Sequence, residues 1–271
     1  MHIEHAARTH VGRRPNNEDS LLEDPLHGIF AVADGMGGYE GGEIASKLVV
    51  ETLAQFFVRN DEDAELTWPF GADAHLTLRE NALAVSLKLA NREVHAQRHG
   101  KLAQMGSTVV ALALDGPRVA LAHVGDSRIY RLREGALERL TRDHSLVEEM
   151  RERGMQGTPE GIGHIVTRAI GASPDTEPEL RRELAREGDT FLLCSDGVTD
   201  VLDDEAIAGL LSLSTAERAC EAIVGAAYDA GGSDNITAIV IRHRPDRPSP
   251  SPSPSLRSGP PRSDRGGARA A

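Results

Sequence analysis

Cysteine is scarce in this chain: only Cys194 and Cys220 occur in 271 residues. Two such residues build neither a disulfide framework nor a Cys-x-x-Cys metal knuckle, and they agree with a reducing compartment. Both are expected to be buried and structural. No apolar run approaches the roughly 18 residues that suggest a membrane-spanning helix. The opening Met1-His2-Ile3-Glu4-His5 lacks the basic and apolar stretches of a secretory leader. A cytoplasmic location with no membrane partner is therefore expected. Positive charge is short as well. The formal charge is −12, and from Arg244 onward six arginines face two aspartates, a balance of +4, which leaves −16 on residues 1–243. An acidic body argues against nucleic acid as the main ligand, because phosphate backbones need a basic surface. It is compatible with clustered carboxylates partly neutralised by bound cations. Repeats at solenoid periods are absent.

With 39% hydrophobic residues the chain can bury a sizeable core. One large domain over residues 1–243 is expected, followed by a Pro/Ser/Arg-rich tail over 244–271 that holds half of the 14 prolines and reads as disordered. Strands are expected over 3–11 and 26–33, and helices over 43–56 and 76–97, where apolar residues recur at helical spacing. Short strands over 107–114, 119–124 and 128–133 follow, joined at Asp115-Gly116-Pro117 and Glu134-Gly135. Such close strands imply antiparallel hairpins. Residues 141–171 are polar and glycine-spotted, with at most one helix near 145–153, as in a binding loop or lid. A strand over 190–194, helices near 204–211 and 215–229, and a strand over 236–241 complete an α+β pattern.

Carboxylates mark the strand ends. The run Ala31-Val32-Ala33-Asp34-Gly35-Met36-Gly37-Gly38 reads as a buried strand delivering Asp34 to a turn with little side-chain bulk. Taken alone it is an ordinary turn, since Asp-Gly is common there. The layout recurs at Asp196-Gly197 after Thr190–Cys194 and at Asp234 before the last strand, while Asp126 lies between two strands and Glu18 and Asp19 precede the first of these ends. If these ends converge, the carboxylates repel and protonate unless divalent cations intervene. Two such ions can share a hydroxide and polarise a phosphoryl oxygen.

Arg14-Pro15-Asn16-Asn17-Glu18-Asp19, Asp34-Gly35-Met36-Gly37-Gly38, Gly125-Asp126-Ser127-Arg128, Ser195-Asp196-Gly197 and Ser233-Asp234-Asn235-Ile236-Thr237 stand in order along the chain. The set resembles the metal-dependent, type 2C (PPM) serine/threonine protein phosphatases, in particular their compact bacterial branch, over about residues 5–243. The resemblance implies an αββα sandwich of two antiparallel β-sheets flanked by helices, with a metal site at one edge and a variable flap at about 141–171. It makes Asp34 the bridging ligand of two Mn²⁺ or Mg²⁺ ions. The Gly35 carbonyl would bind one ion, with Glu18 acting through water. Asp196 and Asp234 would hold the other, and Asp19 would orient metal waters. Asp126 with Asp196 resembles a third, weaker metal site. Arg14 matches the phosphate-binding arginine, with Arg13 as a competitor.

The implied reaction is in-line attack on phosphoserine or phosphothreonine by a hydroxide that the two ions activate, without a phosphoenzyme, so Cys194 is no nucleophile. Met36 stands where several eukaryotic relatives carry His, and His144 is expected to anchor the flap. Phosphorylated proteins are the implied substrates, opposing a bacterial serine/threonine kinase. Two other readings stay open: a regulatory binding module of the same fold, and a small-molecule phosphomonoesterase.

Overall fold

The computed structural model describes residues 2–37, 41–63, 67–155, 162 and 165–244. The expected tail beyond Arg244 and part of the expected flap, with Gly157, Gly161 and Gly163, lie outside the described residues, as does Gly38. The chain forms β1 (His2–His10), β2 (Asp19–Asp24), β3 (Ile29–Met36), α1 (Gly41–Glu62), α2 (Leu78–Ala96), β4 (Gly106–Ser107), β5 (Val109–Asp115), β6 (Arg118–Val124), β7 (Arg128–Arg133), β8 (Ala136–Arg139), α3 (Leu146–Glu152), β9 (Glu179–Leu184), β10 (Thr190–Cys194), α4 (Asp196–Thr199), α5 (Asp204–Leu211), α6 (Ala216–Asp229) and β11 (Ile236–Arg244).

One sheet has the order β1-β11-β10-β7-β8; the other runs β2-β3-β5-β6-β9, with β4 on β3. All pairings are antiparallel. The layers follow from the period-two alternation of strands buried on both faces. Phe30 and Val32 of β3 point between the sheets with Phe191, Leu193, Ile239 and Ile241. Their neighbours Ile29, Ala31 and Ala33 pack instead under α1 and α2, against Val49, Leu53, Phe57 and Leu83. On the opposite side Leu192, Ala238 and Val240 meet Ile207, Ile223 and Ala227 of α5 and α6. The expected αββα sandwich is thus observed, with each fully buried aliphatic side chain worth about 1.5–3 kcal/mol.

Local chemistry sets the element ends. Thr77 and Glu80 form a reciprocal capping box at the start of α2. Glu134 and Gly135 both adopt positive φ, 51° and 81°, the type I′ geometry that suits a two-residue hairpin between β7 and β8. β3 begins at Ile29 rather than Leu26, because Asp24 Oδ1 accepts the N–H groups of Leu26 and His27 and closes a turn first. β11 runs to Arg244, one residue past the expected domain boundary, where it pairs with His2. Both cysteines are buried and unpaired.

Candidate active site

The expected ligands come together at one edge of the sandwich. Antiparallel pairing sets Asp19, the first residue of β2, directly opposite Asp34. Asp196 opens α4 just beyond β10, Asp126 sits in the loop before β7, and Asp234 precedes β11. A cleft of about 860 Å³ is lined by Arg14, Glu18, Asp34, Gly35, Met36, Asp126, Asp196 and Asp234, together with Asp200. Asp19 lies behind this lining, 8% exposed. Its Oδ2 accepts a hydrogen bond from Ser195 Oγ at 2.8 Å.

Close backbone packing explains the glycines around Asp34. A Cβ at Gly35 would stand 2.1 Å from the Gly42 carbonyl oxygen, and one at Gly42 would stand 2.4 Å from Glu18 Oε2. Bare backbone therefore lets the N-terminus of α1 rest against the Glu18 carboxylate, a favourable place for negative charge. Other contacts fix the cleft walls. The Thr108 hydroxyl accepts the Asp34 N–H at 3.2 Å, and Asn235 Oδ1 accepts the Glu18 N–H at 2.8 Å. Asn235 Nδ2 donates to the carbonyls of Val11 and Asn16, tying the Arg14–Glu18 loop to β11. Arg14 Nη2 donates to Asp234 Oδ2 at 2.6 Å. Arg13 does not line the cleft.

The electrostatics are those of crowded acids. Burial, then the neighbouring Asp19 and Asp196, pushes Asp34 well above the carboxylate range, and it shares a hydrogen bond with Asp196. Burial, then Asp126, Asp200 and Asp234, raises Asp196 to about 8. Burial lifts both Asp19 and Asp126 to about 6. Glu18 is raised by burial too, against the pull of Arg14. Asp19 Oδ1 and Asp196 Oδ1 are buried without a hydrogen-bond partner. Hard oxygen donors, clustered negative charge and two orphaned carboxylate oxygens fit divalent cations of the Mg²⁺/Mn²⁺ kind.

Asp200 went unassigned in the sequence. It caps the single turn of α4, with its N–H on the Asp196 carbonyl at 2.8 Å, and so brings a further carboxylate to the Asp126–Asp196 side. The Asp-x-x-x-Asp spacing was its only sequence signal.

A second group with metal-ligand chemistry, His123, His144 and Glu179, has donor atoms within 4.8 Å of one another. It reads as a structural clasp instead. His144 Nδ1 accepts the Gly125 N–H at 3.1 Å, which leaves the ring proton on Nε2, the nitrogen facing Glu179. Arg168 Nη1 stands 3.0 Å from the same Nε2, a poor setting for a cation. The His144 N–H bonds the Gly125 carbonyl, and the His144 carbonyl accepts from Thr167. His144 thus joins the Asp126 loop to both ends of the expected flap, in keeping with the anchoring role expected of it.

A family profile for protein phosphatase 2C matches residues 7–225. The chain belongs to the protein phosphatase 2C family. Among curated members, it is 33% identical over 243 residues to the serine/threonine protein phosphatase PstP of Mycobacterium tuberculosis, covering 88% of this chain and 44% of that protein. The chain thus spans less than half the length of that relative. It is 34% identical over 254 residues to the serine/threonine phosphatase stp of Listeria monocytogenes, covering 89% of this chain and 95% of the relative. The solved catalytic domain of PstP in complex with two manganese ions superposes with a TM-score of 0.75 at 35% identity, over 89% of this phosphatase 2C chain and 97% of that one. No helix among the described residues is long and apolar enough to cross a membrane.

Proposed function

We propose that this phosphatase 2C chain hydrolyses phosphoserine and phosphothreonine in proteins with the help of two Mn²⁺ or Mg²⁺ ions, opposing a bacterial serine/threonine kinase. The observation that carries this reading is the convergence of Glu18, Asp34, Asp126, Asp196 and Asp234 on one cleft whose rim bears the Arg14 guanidinium. Relatives named as serine/threonine phosphatases, one of them solved with two manganese ions, support it.

Asp34 would bridge the two ions, with the Gly35 carbonyl and Glu18 on one side and Asp196 and Asp234 on the other. Asp126 and Asp196 would hold a third, weaker ion. When bound, the paired cations acidify a water and offset charge on the phosphoryl oxygens. The chain's own groups do the rest. Arg14 offers a planar fork to two phosphate oxygens, and its ion pair with Asp234 holds it over the cleft. Ser195 fixes the Asp19 carboxylate behind Asp34. Met36 lines the cleft and has no proton to give, so the leaving oxygen takes its proton from water. Cys194 is fully buried inside β10, with its thiol pushed up to about 12 by burial, which removes it as a nucleophile.

The substrate class is tested by comparing turnover of a phosphothreonine peptide, p-nitrophenyl phosphate and small sugar phosphates in Mn²⁺. A kcat/KM for the peptide well above that for sugar phosphates is expected. Preference for the sugar phosphates would assign a small-molecule phosphomonoesterase, and no turnover at all a binding module.

A further inference from the structure

The five-stranded sheet has a second hollow at its other end. β7, β10 and β11 present Asp126, Asp196 and Asp234 beside one set of termini. Their opposite termini, at Arg133, Thr190 and Arg242, help to line a cavity of about 460 Å³. Arg242 is 6% exposed. Its Nη2 donates to the Leu211 carbonyl at the C-terminal end of α5, at 2.5 Å. That capping contact uses one of five N–H donors. The Arg242 Nε is buried with no partner, and no carboxylate pairs with this guanidinium among the described residues.

The other arginines nearby are compensated. Arg131, also buried and also with an unpartnered Nε, spans Glu138 and Glu183 through its two Nη atoms. Arg133 grips Asp189 through Nε and Nη2, at 2.7 and 2.6 Å. Arg244 engages Glu4, whose other oxygen accepts the Ala216 N–H. The neighbouring buried or half-buried acids are therefore committed elsewhere, while Glu134 and Glu187 stand exposed in the lining without reaching Arg242. Arg186 adds a further exposed guanidinium to the lining. Burial and then the neighbouring Arg244 weaken Arg242's hold on its proton, and Glu4, opposite it in the β1–β11 ladder but bonded to Arg244, offsets this only in part.

We propose that this cavity is an anion-binding site, distinct from the carboxylate cleft, in which Arg242 and Arg186 receive a small oxyanion ligand bearing a phosphate or a carboxylate. Such a ligand supplies a carboxylate or phosphate in direct contact with the guanidinium, whose plane suits two oxygens at once. The volume accommodates a molecule larger than the anion alone. The proposal does not rest on the phosphatase reading.

The full chain, freed of metal over a chelating resin, is melted in increasing inorganic phosphate, malonate or chloride at matched ionic strength. Without metal the carboxylate cleft repels anions, and Arg14→Ala serves as a control that should keep the response. Phosphate or malonate is expected to raise the midpoint saturably at millimolar concentration, with chloride inert. A response to phosphate alone assigns a phosphate ligand, and one to malonate alone a carboxylate. Arg242→Met should abolish the increment, and Arg186→Ala should weaken the dose response severalfold. No saturable response, or an increment unchanged in Arg242→Met, overturns the proposal. Should Arg242→Met fail to fold, Arg186→Ala decides, and an unchanged dose response there overturns it.

Discussion

Asp19 stands directly opposite Asp34 in the antiparallel β2–β3 ladder. Side chains so paired share a face of the sheet, and like charges in that position repel. Ser195 answers one oxygen of Asp19 and leaves the other buried and unpartnered. The pairing makes the cleft costly for the bare chain and favourable for a chain that holds cations.

The metal-free protein is expected to lose stability as pH rises. A carboxyl whose folded pKa exceeds its unfolded value holds its proton more tightly when folded. Its contribution is therefore complete below about pH 4 and is lost as pH climbs through the folded values. Those values are about 6 for Asp19 and Asp126 and about 8 for Asp196. Thermal melts of chelator-treated protein should show a midpoint that falls between about pH 5 and 8. Mn²⁺ should recover it by an increment that grows with pH. A flat profile contradicts the crowded-acid account.

Asp34→Asn and Asp196→Asn should separate activity from stability. Each removes an ionisable carboxyl that burial and its acidic neighbours disfavour, so the metal-free variant is expected to gain about 1–2 kcal/mol at pH 8 in urea titration. Each also removes a central cation ligand, so turnover should fall by about a thousandfold or more. A variant that lost activity only by unfolding would refute the assignment.

Arg14→Ala should raise KM by the equivalent of about 1.5–3 kcal/mol, roughly 10- to 150-fold, with a smaller change in kcat. Arg13→Ala should leave both within about twofold, because its side chain does not line the cleft. Steady-state kinetics on a phosphothreonine peptide checks both.

Ser195→Ala strips the Asp19 carboxylate of its hydroxyl donor and the Thr237 N–H of its acceptor, both in the buried seam between β10 and β11. A loss of about 1–3 kcal/mol in chemical denaturation is expected. An unchanged midpoint would mean that Asp19 needs no such support.

Much of this was legible in the sequence because the strands that carry the ligands are buried on both faces. Runs such as Ile29–Ala33, Thr190–Cys194 and Ile236–Ile241 are nearly continuous apolar segments, and each has its acid within two residues of one end, Asp34 and Asp196 after the first two and Asp234 before the third. β9 was missed for the opposite reason. Glu-Leu-Arg-Arg-Glu-Leu carries no strand signal, and its charges are answered only in three dimensions, Arg182 by Glu80 and Glu183 by Arg131. β2 was hidden likewise, since its Asp19, Glu23 and Asp24 read as loop until pairing with β3 buries the segment. Asp200 escaped because the turn of α4 that brings it to the cleft is only four residues long.

The most direct measurement is turnover of a phosphothreonine peptide by the full chain before and after treatment with EDTA, followed by replenishment with Mn²⁺. The carboxylate cluster predicts loss of activity in EDTA and restoration by Mn²⁺, with no restoration in Asp34→Asn. Activity that survives EDTA undiminished would contradict the cation-dependent mechanism.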